Sequence, residues 1–284
     1  MGKASLQTFT ALSTQWGGND QTGSGDMAQN SDKTTPIAFS DIAAALGLLS
    51  RLPISVDTER ATQRGALAAW AYPIAGLILA LIAGIVTQCA LWLGLPGTLA
   101  AGLTLATLII TTGAMHEDGL ADSADGLWGG WDKDHRLKIM KDSFIGTYGV
   151  LALGLSLLLR WSALTLIVEN NMLWPALLVG AMLSRAVMVP MMAFVPHART
   201  EGLSHSVGRP PVQTAYIALA IAAVGALILV QFSVFWLVVT CTLTAFTCAT
   251  IAKSKINGQT GDILGATQQL TEIAALLTFA ALLS

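Results

Sequence analysis

Long apolar stretches restrict what this chain folds into more than any other feature. A helix needs about 20 apolar residues to cross roughly 30 Å of hydrocarbon. About seven stretches approach that length, at residues 66–93, 98–115, 147–168, 173–194, 212–230, 234–252 and 263–283. The expected fold is therefore all-α, a polytopic membrane helix bundle with about seven transmembrane helices. Only 11% of residues are charged, against about a quarter in soluble domains, which argues against an ordinary water-soluble enzyme.

The connectors test this layout. Residues 94–97, 169–172 and 231–233 contain no Lys or Arg, and all of the 15 basic residues except Arg160 and Arg185 lie before residue 66 or within 116–146, 195–211 and 253–262. Seven crossings put those four basic segments on one side, and the bias of Lys and Arg toward the inner face makes that side cytoplasmic. Glu169 is then the one acidic residue expected outside, and Glu272 the one deep in a span. Polar chemistry concentrated on one face argues against a transporter, which needs access from both.

Several function classes drop out. A net charge of −2 supplies no basic field for nucleic acid. Cys89, Cys241 and Cys248 lie in apolar stretches and are odd in number, so they read as small buried hydrophobes. Residues 1–36 lack the basic and apolar regions of a signal peptide and are expected to be a disordered cytoplasmic tail. Residues 37–284 are expected to form a single membrane-embedded catalytic domain. The apolar run 37–49 is too short to span and is expected at the interface or against the bundle.

The chemistry-bearing segment follows the second stretch, as HEDGLADSADG at residues 116–126. Asp118, Asp122 and Asp125 stand at i, i+4 and i+7, within about 60° of one another on one helical face. Like charges so placed repel, more strongly where the dielectric falls, and a bound divalent cation reverses the sign. An all-oxygen set, with Glu117 beside it, suits Mg²⁺ or Mn²⁺, and magnesium commonly keeps waters and binds substrate phosphates along with a few carboxylates. The single His116 does not make a zinc site. The competing reading is a solvated helix face, which accounts for exposure but not for clustering.

Downstream, residues 132–141 read as a short amphipathic helix leading into Asp142 and a glycine-flanked return to the membrane. Lys138 and Lys141 suit either anionic headgroups or a phosphate. Asp142 is a candidate catalytic carboxylate. Arg160 and Arg185 sit in mid-span, where a charge is costly unless paired or hydrated. Two readings stay open for them: an internal ion pair with Glu272, or phosphate binding from a cytoplasmic cavity, with Arg185 the stronger candidate. Arg199, in PHARTEGL at 196–203, is either a surface-loop residue or an anion contact. The segment NGQTGDILG at 257–265 places Asp262 at the mouth of the last stretch, suited to close ligand approach and to metal binding.

Together these segments resemble the cobalamin synthase family, the adenosylcobinamide-GDP ribazoletransferases. The likeness rests on SRLP at 50–53, the 116–126 motif and IMKDSFIGTYG at 139–149. It continues through Ser184-Arg185, Ala198-Arg199 with Gly202-Leu203, and TGDILGA at 260–266, and so runs in order through residues 42–280. The chain departs from the pattern at Gln269, where a carboxylate is expected, leaving any metal role on that helix to Asp262 and Glu272.

The resemblance implies a Mg²⁺-dependent enzyme of the bacterial cytoplasmic (inner) membrane with its active site facing the cytoplasm. It would join adenosylcobinamide-GDP to α-ribazole or its 5′-phosphate and release GMP, with the ribazole 3′-hydroxyl as nucleophile. Expected metal ligands are Asp118, Asp122, Asp125, Asp262 and Glu117. Asp142 and Asp122 are expected to be catalytic, and Arg185, Arg199, Lys141 and Arg160 to bind substrate. A homo-oligomer, or a complex with other cobalamin-assembly enzymes, stays open. Asp122-Ser-Ala-Asp125-Gly126 also resembles the opening of the CDP-alcohol phosphotransferase motif, without the Ala-Arg that should follow, which keeps a phospholipid-making phosphotransferase as the alternative. A cation transporter is the rival from another class.

Overall fold

The bend after the second apolar stretch shapes the site end of the protein. In the computed structural model, which describes residues 35–283, that stretch forms a helix over Gly97–Thr112 and stops at Gly113 (φ 63°) and Ala114 (φ 57°). The chain then restarts as Met115–Gly129, turned by 87°. Gly113 is required twice: its φ is left-handed, and a Cβ there would lie 2.6 Å from Cγ of Arg51. The expected tail, residues 1–36, lies outside the described residues except for its last two.

In chain order the helices are α1 (Ser40–Leu49), α2 (Thr58–Arg64), α3 (Tyr72–Trp92), α4 (Gly97–Thr112), α5 (Met115–Gly129), α6 (Lys133–Ile139), α7 (Thr147–Glu169), α8 (Leu173–Ala186), α9 (Met188–Phe194), α10 (Leu203–Val207), α11 (Val212–Val230), α12 (Val234–Ile256) and α13 (Gly261–Leu283). Two 3₁₀ segments, Gly65–Ala71 and Gln231–Ser233, join α2 to α3 and α11 to α12. Among the described residues no strand forms, only an isolated parallel bridge between His197 and Gln259. The all-α membrane bundle is thus observed.

Among the described residues five helical runs are long and apolar enough to cross a membrane, six if the bent pair α4–α5 counts as one, where the sequence suggests about seven. The difference lies in two places. Helix α4 has 16 residues, a rise of about 24 Å, short of the hydrocarbon thickness. The fifth and sixth expected crossings form one helical run, Val212–Ile256, of 45 residues. Its two ends are tied to one short stretch of chain: Arg209 Nη2 donates to Ala193 O (2.6 Å) and Gln259 N to Pro196 O (2.8 Å). Residues 212–256 therefore double back, with the reversal at Gln231 (φ 48°).

The fourth expected span divides into α8 and α9 at Val187, where Pro190 has no N–H for the carbonyl of Ala186 and crowds it. At the end away from the acidic motif, Gly97 lies against Glu169, so the two connectors near residues 94–97 and 169–172 meet. The core is dense in alanine and leucine where α3, α8, α11 and α13 pack. Small side chains let apolar helices approach closely where lipid gives no hydrophobic drive to associate.

The 37–49 run forms α1, packed on the first 3₁₀ segment and α3. Its Asp41 is buried and held by the Arg64 guanidinium, with Trp70 Nε1 donating at 2.7 Å. This buried pair fixes the loop that precedes the first long helix.

Candidate active site

The acidic motif forms α5, which packs chiefly against α13. The two cross where both are glycine: a Cβ on Gly119 would lie 2.9 Å from Asp262 O, and one on Gly265 3.4 Å from Cα of His116. This contact brings Asp118 and Asp122 beside Asp262, in the first turn of α13. Asp122 feels the negative charge of Asp118, Asp262 and Asp125 and the positive charge of Arg199.

Arg199 arrives through a local zipper. Gln259 N donates to Pro196 O, and Ala198 N to Gln259 O (2.9 Å). Ser204 Oγ donates to Gln259 Oε1 (2.7 Å), while Gln259 Nε2 reaches His197 Nδ1 at 3.0 Å. Burial, then the nearby His205 and Arg209, holds the His197 pKa below the ordinary imidazole value. With residues 196–199 so pinned, Arg199 Nη2 donates to Asp262 Oδ2 at 3.2 Å, and Thr260 Oγ1 reaches the same oxygen at 3.1 Å.

Among the described residues no protein donor reaches the carboxylates of Asp118 or Asp122, and both are at least partly accessible. Among those residues, too, no three His, Cys, Asp or Glu side chains converge into a ready-made metal cage. An all-oxygen, open set of this kind fits magnesium, which takes few protein ligands and completes its shell with water and phosphate.

The third member of the expected trio is engaged elsewhere. Asp125 Oδ2 accepts from Gly146 N (2.7 Å) and Oδ1 from Gly149 N (2.9 Å). It therefore caps α7, satisfying amides that the first helical turn leaves unpaired. Asp125→Ala is expected to lower stability by about 1–2 kcal/mol, read as a lower unfolding midpoint in detergent. An unchanged midpoint would remove the capping role. Asp142 stands near this cap on the wall of an open pocket of about 330 Å³.

The mid-span charges are internal. Arg160, 1% exposed, donates to Glu117 Oε1 (3.0 Å) and Glu272 Oε1 (3.3 Å), and Arg185, 2% exposed, to Glu272 Oε2 (2.7 Å). Gln269 Nε2 donates to Glu117 Oε1 (3.1 Å), and Gln268 Nε2 to Glu272 Oε2 (2.8 Å). Two arginines thus face two glutamates across α5, α7, α8 and α13. Of the two readings open for the arginines, the structure displays the ion-paired one, and Glu117 joins that network rather than the open carboxylates. An amide at Gln269, where a carboxylate was expected, keeps the four charges balanced. Lys141 pairs with Glu201 at 2.7 Å on the exposed surface, an interaction worth little.

Sequence reasoning missed the Asp41–Arg64–Trp70 cluster and the Gln259–Ser204–His197 zipper. It also missed Lys255, whose Nζ donates to Leu127 O at 2.8 Å and ties α12 to the end of α5. An aspartate inside the apolar run 37–49 was a usable signal for the first. The others join polar loop residues with no local pattern.

A bundle of membrane-length helices, with open carboxylates on the shorter α5 and an arginine and a pocket near them, defines a polytopic membrane protein with a polar site. Residues 41–280 match the family model described as cobalamin-5-phosphate synthase, and the chain belongs to that family. Similar proteins are named adenosylcobinamide-GDP ribazoletransferase. That of Bradyrhizobium diazoefficiens is 43% identical over 244 residues, 86% of this chain and 94% of the relative. That of Mesorhizobium japonicum is 39% identical with the same coverage. That of a Sinorhizobium species is 42% identical, covering 83% of this chain and 94% of its own. No solved structure matches the chain.

Proposed function

We propose that this membrane transferase of cobalamin synthesis joins adenosylcobinamide-GDP to α-ribazole or its 5′-phosphate, releasing GMP, with Mg²⁺ held by Asp118, Asp122 and Asp262. The observation that supports this reading is the pair of undonated carboxylates on α5 set against Asp262 and Arg199 at one end of the bundle. The concentration of Lys and Arg in the segments at that end supports a site facing the cytoplasm from the bacterial inner membrane.

In the reaction, the ribazole 3′-hydroxyl oxygen attacks the cobinamide-side phosphorus of the diphosphate. The bond from that phosphorus to the GMP oxygen breaks, and the hydroxyl proton passes to Asp142 as general base. Magnesium, when bound, neutralises charge on the diphosphate and on the departing GMP. Arg199, freed from Asp262, takes phosphate charge through its guanidinium fork, with Lys141 at the rim. Arg160 supports the site by bridging Glu117 of α5 and Glu272 of α13, and Arg185 by tying α8 to Glu272.

Purified protein in lipid, supplied with adenosylcobinamide-GDP, α-ribazole and Mg²⁺, is expected to release GMP, and a chelator to abolish release. Turnover only with a CDP-alcohol and a second alcohol would establish the phospholipid alternative, and ion flux without phosphotransfer the transporter. Arg199→Ala is expected to raise KM for adenosylcobinamide-GDP about tenfold, the loss of one charge-assisted contact of about 1.5 kcal/mol. An unchanged KM would remove Arg199 from the substrate site.

A further inference from the structure

We infer that the open pocket beside Asp125 is the seat of the acceptor nucleoside, holding the planar base of α-ribazole against Phe144 and Tyr148 and the ribose hydroxyls at Asp142. The inference rests on the reaction proposed above and divides the site into a diphosphate half and a nucleoside half.

The pocket's volume of about 330 Å³ falls within the range of small-ligand sites, about 300–1,000 Å³. Its walls combine apolar and aromatic side chains, Ile139, Phe144, Ile145 and Tyr148, with two acids, Asp125 and Asp142. Phe144 is 84% exposed, Ile145 55% and Tyr148 50%, so an apolar face stands open next to carboxylate oxygens. A flat heteroaromatic ring with hydroxyls on one side uses both features: rings stack on aromatic side chains, and hydroxyls donate to carboxylates.

The same pocket is poor for the diphosphate. It lies at the N-terminus of α7, where a phosphate would ordinarily be welcome, but the amides of Gly146 and Gly149 are already bound by Asp125, and both charged walls are negative. Arg199 and the open carboxylates Asp118 and Asp122 lie on the α13 side of α5. Asp122 and Asp125 are three residues apart on that helix and so are neighbours along its surface. A hydroxyl held at Asp142, on the pocket wall beside Asp125, would therefore stand within about one helical turn of a phosphate held near Asp122, the proximity the reaction needs.

The test uses the full-length protein in lipid nanodiscs. Equilibrium dialysis with labelled α-ribazole is combined with separate KM values for the two substrates, in Phe144→Ala and in Ile139→Trp, which fills the pocket. Each variant is expected to weaken α-ribazole binding and raise its KM about tenfold or more, with KM for adenosylcobinamide-GDP within about twofold of the parent. Phe144 is a surface side chain, so its removal leaves folding intact. Unchanged α-ribazole affinity in both variants would overturn the inference, as would equal weakening of both substrates. A parent protein that does not turn the pair over at all rejects the proposed reaction instead.

Discussion

Asp122→Asn is expected to lower turnover of adenosylcobinamide-GDP with α-ribazole by about 10²–10³-fold while the protein inserts and folds normally. Asp122 is half-buried, accepts no hydrogen bond from the described protein, and faces the charges of Asp118 and Asp262. A carboxylate in that setting contributes nothing to packing that an amide could not. Its charge is useful only when a cation is present, and the loss of one such charge-stabilising group from a phosphoryl-transfer site costs about 3–4 kcal/mol in the transition state. GMP release and protection of the variant against thermal unfolding are the two measurements. Near-parental turnover with normal folding would sink the metal assignment. A turnover loss matched by an equal loss of thermal stability would reassign Asp122 to structure.

The largest effect on stability is expected from Glu272→Ala. Both carboxylate oxygens of Glu272 are occupied, one by Arg160 and the other by Arg185 and Gln268. Removing it leaves Arg185 without its carboxylate and Arg160 with Glu117 alone. Breaking a buried ion pair from one side costs about 3–5 kcal/mol, much of the stability of an ordinary domain, so yield and detergent unfolding midpoint should fall sharply. Replacing both partners with apolar residues of similar volume, as in Arg185→Met with Glu272→Leu, is expected to recover most of the loss, because no unpaired charge then remains. If Glu272→Ala keeps the parental midpoint, the network is not holding the bundle together.

The apolar stretches carried much of the fold in plain view. Each corresponds to observed helix, because a continuous apolar run of that length has few other ways to satisfy its backbone in lipid. Their boundaries and breaks were less visible. The left-handed turn at Gly113 and Ala114 shortens one expected crossing, the 3₁₀ segment at Gly65–Ala71 carries the start of another, and Pro190 divides a third. Only the proline announces itself in a one-dimensional pattern.

The site was half legible. The i, i+4, i+7 spacing marked Asp118, Asp122 and Asp125 as one stripe, yet the stripe is shared between two tasks. Asp118 and Asp122 stay open, whereas Asp125 is drawn to the amides of residues 146 and 149. Glu117, adjacent to Asp118 in sequence, turns into the bundle and meets Gln269, 152 positions away. Successive residues of a helix point about 100° apart, so neighbours in a motif need not share a function.

By itself, the sequence determined that this protein is a helical membrane bundle with its polar chemistry gathered in a few segments, and it marked the residues able to carry that chemistry. These follow from local properties, since hydrophobic length and helical spacing are written in consecutive residues. Tertiary structure alone decided which carboxylates remain open and which are spent as a helix cap or as counter-ions to Arg160 and Arg185. That choice depends on helix crossings such as Gly119 with Gly265, where chain segments far apart in sequence come close enough to exchange hydrogen bonds and charge.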